Sequence, residues 1–512
     1  MRIQKNYALF GVRVTVLILA ALVLGACIMS PESDDGSITI SVPVSGSGVG
    51  GSSLSGSAVI TSNTVVRVWM YTPEGNEYRL LSSGTGLPNA PNYRQTTGGG
   101  SIVIDNIPAG DGYGIVVAVD KDGGSPFVPT HYAYRDSFAV AAGRETQLSL
   151  VLAAVNGSET SMTTALVGDN LHSVIGVVSE VGIDLYAAGN TKFLVDPFVP
   201  ETGVPVGSFN HTNSNITASR IFSLSPGMIT NGNPIPFVNT DVGIFGYDGD
   251  GVNSSLVGTG YPVGVRNVTS SGAFEFADEQ QQILVYYQRR GGLGGVAFAS
   301  SGSPNSEDWN DTGTELEDFI GSDESPVWAA AVSDNAVFLS TVFGTFKATE
   351  ALFSGTEIDI DALIGGDSSS TAGITFFGVA FPGTDRPLRI RHMGYVGGND
   401  NVVVVGTGRG AFYFPESSIN SVGANKLVAG VKAIPKTAGN YVVDMSVNDG
   451  WIAVLTPSRI VVVNEGTPGT LAYERPLRGY ALGNPRDVFV VNGDSKPVVY
   501  IAGSEGLSKI TF

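Results

Sequence analysis

A single cysteine, Cys27, stands in 512 residues, so no intramolecular disulfide can staple this chain. The four histidines, His131, His172, His211 and His392, show no metal-ligand spacing, and no metal site is expected. Charge is scarce at 15% of residues, and positive charge scarcer still: 28 Lys and Arg stand against 47 Asp and Glu, for a net charge of −19. Such a balance repels nucleic acid and anionic head groups, which argues against a generic nucleic-acid binder. Beyond the amino terminus, no stretch reaches the ~18 consecutive apolar residues of a transmembrane helix. Nucleophile-elbow and zincin patterns are missing, and no Ser/His/Asp or paired-carboxylate spacing can be assigned, so no catalytic residue is named and no cofactor is expected. Gly291 to Gly295 lies in a hairpin and opens no helix, which argues against a phosphate or dinucleotide site.

What is abundant is glycine, 68 residues of it, with many Val, Ser and Thr: the composition of an all-β protein. The length allows two or three domains.

The amino terminus reads as an export signal: Arg2 and Lys5 give a positive start, Val14 to Val23 is mostly aliphatic, and Leu24-Gly25-Ala26-Cys27 follows. That tetrad resembles the lipobox of bacterial lipoproteins, with Arg13 as a charge unusually close to the apolar run. The resemblance implies that 1–27 is a signal peptide and that Cys27 carries diacylglycerol, tethering the protein to a membrane without spanning it. Ile28 after the cysteine resembles lipoproteins sent on to the outer membrane; whether the periplasmic or the surface face is meant stays open. Residues 28–36, with Glu32, Asp34 and Asp35 and no periodicity, read as a flexible tether.

Residues 37–152 carry about seven short strands, among them Ile38 to Val42, Val65 to Tyr71, Ile102 to Ile104, Tyr113 to Val119 and Gln147 to Leu152. This count suits a small β-sandwich. The run Ile104 to Val119, with Pro108-Ala109-Gly110 as its turn, resembles transthyretin-like or carboxypeptidase-regulatory-like modules, which implies a spacer or contact module rather than a catalyst. Trp69 and Tyr71 are expected in its core.

From residue 153 to 512 one pattern recurs about every 50 residues: an apolar strand, a tight polar or glycine turn, and a second strand. Copies begin near Ile183, Ile283, Ala336, Asn401, Trp451 and Val498, and Pro234 to Tyr247 supplies a weaker seventh. In the clearest copies another apolar segment and an Asn/Asp/Gly turn precede the hairpin, as in Tyr441 to Val447 before Asn448-Asp449-Gly450. Ile374 to Phe381 adds a fourth strand. Four strands at this period predict a seven-bladed β-propeller. The chain stops on a third strand, so Ser161 to Val167 is expected to close the ring on the last blade.

In such a blade the turn between strands one and two lies on one face, and the turn between strands two and three on the other. The first set carries Glu180, Asp334, Asp400, Asp449 and Asp494; the second carries Lys192, Arg289, Arg290, Arg409 and Arg459, with Asp248 and Glu505 as exceptions. A relatively positive face follows, with Arg289, Arg290, Arg409 and Arg459 as candidate ligand-binding residues for an acidic partner, Arg409 and Arg459 being presented side by side by adjacent blades. Asp248 to Asn253 lacks the bidentate Glu of a calcium loop and reads as a solvated turn. The acidic stretch Glu307 to Glu324 around Trp309 reads as an exposed blade insertion. The resulting expectation is a lipid-anchored cell-envelope scaffold, non-enzymatic, that binds a protein partner. A surface adhesin or glycan binder is the alternative, and a glycoside-active propeller with dispersed carboxylates is the other.

Overall fold

The structure is a computed structural model that describes residues 35–42, 54–56, 60–74, 77–80, 93–123, 127, 129–148, 150–155, 158–161, 171–179, 182–197, 203–211, 216–230, 233–247, 270–275, 281–287, 295–300, 309–315, 327–333, 336–341, 344–349, 374–398, 401–422, 426–477, 485–493, 495–503 and 506–512. Almost every described element is a strand. Among the described residues no helix is long and apolar enough to cross a membrane. The expected leader, tether and Cys27 lie outside the described residues.

Two compact units form: one from the stretches ending at Met70 and from Leu81–Gly123 and Ala133–Ala153, the other from Tyr71–Leu80, Gly124–Tyr132 and Ala154–Phe512. In the first, Asp35–Val42 pairs antiparallel with Gly100–Pro108 and parallel with Glu145–Thr146. Ile38, Ile40, Ile104, Val66, Val68, Ile115 and Val117 fill one apolar core, supplied by alternate residues of each strand. Tyr113 turns its hydroxyl back to donate to the Pro108 carbonyl at 2.6 Å, locking the corner between two long strands. Trp69 and Tyr71 are buried, but not in this core as expected: they alternate with the core residues Val68 and Met70 and so stand on the other face of their strand, where Trp69 packs on Tyr93 at 5.3 Å between ring centroids.

Among the described residues the second unit holds eight antiparallel sheets: a two-stranded ribbon of Asn210–His211 with Ile216–Thr217, and seven larger sheets, numbered here in chain order as blades 1 to 7. Blade 1 is Ser173–Ser179, Gly182–Ala188, Lys192–Val195 and Gly203–Pro205; blade 2 is Ile221–Thr230, Asn233–Thr240 and Ile244–Gly246. Blade 3 is Ser270–Glu275, Gln281–Tyr287, Gly295–Ser300 and Trp309–Glu315; blade 4 is Val327–Ser333, Ala336–Thr341, Gly344–Thr349 and Ile374–Phe377. Blade 5 is Ile390–Val396, Val402–Thr407, Gly410–Pro415 and Lys432–Ala433; blade 6 is Asp444–Asn448, Trp451–Leu455, Arg459–Asn464 and Leu471–Pro476. Blade 7 is Pro485–Asn492, Pro497–Gly503 and Gly506–Thr511, and its fourth strand is Ser158–Ser161 from the other end of the unit. First strands of blades 1 and 2, 2 and 3, 4 and 5, 5 and 6, 6 and 7, and 7 and 1 touch, while blade 3 meets blade 4 through its second strand. A closed ring results: the seven-bladed propeller.

Local chemistry explains the repeat. Asp449 and Gly450 both take positive φ, 52° and 83°, giving the two-residue turn that an Asp-Gly pair favours between Asn448 and Trp451. At the other end of the blade a buried threonine closes strand two. The hydroxyls of Thr240, Thr407 and Thr456 donate to the carbonyls of Gly243, Gly410 and Arg459 at 2.8 to 3.0 Å, and accept from turn amides. First strands carry a bulge at their second residue in blades 2, 4, 5 and 7, so Phe222, Trp328, Arg391 and Arg486 stand outside the register. Glycine allows close approach where blades meet: a Cβ on Gly176 would lie 2.3 Å from the Phe489 ring.

Two expectations need correcting. The closing strand is Ser158–Ser161, not Ser161 to Val167, and it pairs residue for residue with Ser508 to Thr511. The stretch around Trp309 is not an insertion throughout, because Trp309–Glu315 is the outer strand of blade 3, paired with Gly295–Ser300. Asp248 to Gly251 and Gly291 to Gly294 lie outside the described residues.

Candidate functional site

Arg409 occupies the two-residue turn that Thr407 holds, on the end of blade 5 where strands two and three meet, and is exposed. Its carbonyl accepts from the Gly439 amide at 2.9 Å, which ties the turn to the connector leading into blade 6. Gly410 is needed there: its φ is 130°, and a Cβ would stand 3.0 Å from the Thr437 carbonyl oxygen. Lys436 projects from the same connector, exposed, with φ 64°. Arg391, put out of register by the blade 5 bulge, donates to the Tyr441 hydroxyl at 2.9 Å and lies 5.3 Å from that ring's centre. Arg391, Arg409 and Lys436 thus gather on one shelf around the blade 5 to blade 6 connector.

Arg459, expected beside Arg409 on that face, opens strand three of blade 6, one place past the turn position that Arg409 holds in blade 5, and turns inward. It is only 2% exposed. Its Nη2 donates to the Lys436 carbonyl at 2.7 Å and its Nε lies 3.2 Å from Glu474 Oε1. The left-handed backbone at Lys436 presents that carbonyl, and a carboxylate on the outer strand completes the pair, so the guanidinium pins the connector from below. Arg289 and Arg290 lie outside the described residues, as do Glu180, Asp248, Asp334, Asp400, Asp494 and Glu505. Lys192 is exposed on blade 1. Asp449 spends its carboxylate on the Asn492 amide of the neighbouring blade at 2.8 Å.

Near the axis runs a polar chain that sequence reading missed. His392 of blade 5 meets Asp444 of blade 6 at 3.1 Å; Asp444 hydrogen-bonds Asp487 of blade 7; Asp487 accepts from Ser173 of blade 1, and the Ser173 hydroxyl accepts from the Leu224 amide of blade 2 at 3.0 Å. Burial, then the neighbouring Asp444 carboxylate, raises the Asp487 pKa well above the usual aspartate range, so the two carboxyls share a proton. Both also receive the Val488 amide, at 2.9 and 2.8 Å. These acids tie first strand to first strand. The signal available in the sequence was faint: a polar residue in the opening positions of an otherwise apolar strand. Among the described residues no group of three or more His, Cys, Asp or Glu is placed to hold a metal ion.

No family model matches the sequence, and no curated protein matches it. Solved structures with similar architecture include the extracellular domain of a one-component system from B. thetaiotaomicron, at 13% identity and a TM-score of 0.42 over 69% of this chain and 39% of that one. PorZ, a surface component of the type-IX secretion system of Porphyromonas gingivalis, gives 13% identity and a TM-score of 0.41 over 69% and 37%. YCF48 bound to D1 peptide gives 7% identity and a TM-score of 0.39 over 69% and 94%. The chain spans about two fifths of the length of the first two.

Proposed function

We propose that this chain is a non-enzymatic binding platform of the bacterial cell envelope, exported, anchored through lipid on Cys27 and bound for the outer membrane. Its transthyretin-like sandwich over 37–152 carries a propeller over 153–512, and the propeller holds an acidic segment of a protein partner. The observation that carries this reading is the shelf of Arg391, Arg409 and Lys436. In a chain with a net charge of −19, three cations around one connector form a local exception that steers and orients an acidic partner. Arg459 contributes indirectly, by fixing the connector on which Lys436 stands.

The test is site-specific photocrosslinking on intact cells, with the crosslinker at Ala438 on the shelf and, as control, at Lys192 on blade 1. Capture of one acid-rich protein from position 438, abolished by Arg409→Glu with Lys436→Glu, is expected. Capture that survives the double reversal, or that is equal from both positions, would remove the shelf as the binding site. In parallel, Cys27→Ser is expected to release the protein from the membrane fraction, and retention would remove the lipid anchor.

A further inference from the structure

In blades 5 and 6, strands one and two, and strands three and four, join at the end opposite the basic shelf. On that end a groove of about 1380 Å³ opens across blades 5 and 6, with Lys347 of blade 4 reaching its floor. We infer that this groove is a binding site for a neutral oligosaccharide.

Charge is the first argument. The lining holds two lysines, Lys347 and Lys432, and two glutamates, Glu416 and Glu465, so its formal charge cancels. Lys347 Nζ lies 2.5 Å from Glu416 Oε1, and the Tyr395 hydroxyl donates to the other oxygen at 3.1 Å. That pair is satisfied within the protein, and Lys432 and Glu465 elsewhere in the lining carry opposite charges, so the groove has no net charge with which to select an ionic ligand.

The second argument is what the main chain has already spent. Around the rim the amides of Glu416, Glu465, Thr467 and Thr470 donate to the carbonyls of Asn401, Gly450, Asn464 and Thr467 at 2.7 to 3.0 Å. A peptide adding itself as a strand needs a row of free amides and carbonyls, and these are closed into turns. What remains is side chains. Those of Ser417, Ser418, Asn420, Thr467 and Thr470 hydrogen-bond to no other described residue, although all line the groove. Hydroxyls and amides both donate and accept, which matches vicinal sugar hydroxyls that do the same.

Tyr413 supplies the third. One side of its ring packs against the apolar seam between blades 5 and 6, formed by residues such as Val404, Ile452 and Val461, while the residue also lines the groove. Its hydroxyl fits against Gly469, where a Cβ would stand 2.6 Å from the oxygen. A ring held this firmly is a platform for the C–H face of a pyranose. Single small ligands fill about 300 to 1,000 Å³. The larger volume here fits several sugar units.

The experiment is isothermal titration of the full-length protein in detergent with hexasaccharides of β-1,4-glucose, β-1,4-N-acetylglucosamine, α-1,4-glucose and β-1,4-mannose. Binding of at least one is expected, weakened about thirtyfold by Asn420→Ala with Thr470→Ala, since each of the two lost hydrogen bonds is worth about 1 kcal/mol. Asn420 and Thr470 are exposed, so that variant keeps its melting temperature, and Arg409→Glu leaves sugar affinity unchanged. Binding of none of the four, affinity indifferent to the Asn420 and Thr470 changes, or a preference for a sulfated polysaccharide that Arg409→Glu abolishes, overturns the inference.

Discussion

Ser173 Oγ donates to Asp487 Oδ2 at 2.5 Å, joining the first strand of blade 1 to the first strand of blade 7 across 314 residues of chain. The Val174 amide adds a second bond to the same oxygen at 3.1 Å. The ring is therefore closed twice: at its rim by Ser158–Ser161 and near its axis by a carboxyl group that shares a proton with Asp444.

That shared proton makes closure depend on pH. An aspartate whose pKa is raised on folding holds its proton in the folded state where the unfolded chain, with a pKa near 4, has already lost it. Its contribution is full at acidic pH and is lost as pH rises through the raised value. Asp487→Asn fixes the neutral form: its amide oxygen still accepts from Ser173 and Val174, while its NH2 gives up the bond from the Val488 amide, which Asp444 keeps, a loss that does not vary with pH. Melting temperatures from about pH 5 to about pH 9 should show the variant gaining on the parent as pH rises. Parallel curves would mean that no proton is shared.

Arg459 and Arg409 should separate fold from binding. Arg459→Met leaves Glu474 buried without its partner, and breaking a buried pair from one side costs about 3 kcal/mol. Arg459→Glu should fail to fold, because two carboxylates would meet beneath the Lys436 carbonyl. Arg409→Glu, on an exposed turn, should shift the denaturation midpoint by no more than about 0.5 kcal/mol. Chemical denaturation of the three variants checks this, and equal losses at both positions would contradict the inward placement of Arg459.

The blade pattern was legible because each hairpin pairs an apolar strand with turn chemistry of few solutions, as at Asp449-Gly450. Side-chain direction was not. Whether Arg459 faces solvent depends on its standing first in the strand and not in the turn, on Glu474 and on the left-handed backbone at Lys436, none of which the local hairpin pattern records. The axial chain was hidden for a related reason: His392, Asp444, Asp487 and Ser173 share a layer of the ring, not a spacing in sequence. The groove was illegible too, since its free hydroxyls come from two blades. The closing strand was misplaced by a few residues because hydrophobicity points to Met162 to Val167, whereas an outer strand needs only main-chain partners, and Ser158-Glu159-Thr160-Ser161 supplies them.

That polar closing strand gives the sharpest test of the ring. Thr160 stands opposite Lys509, and Ser158 to Ser161 cover the edge of the last strand from Ser508 to Thr511. Thr160→Pro forces φ to about −65° inside this four-residue strand, which the extended ladder does not accommodate. Without its cover, Gly506–Thr511 becomes an open sheet edge, a template for pairing with another chain. Thr160→Ala keeps the main chain and should melt like the parent. The proline variant should melt earlier and aggregate as protein concentration rises, measured by light scattering during a thermal ramp. Identical melting and scattering of the two variants would mean that the ring holds without its rim closure, leaving the axial contact of Ser173 with Asp487 to hold blades 1 and 7 together.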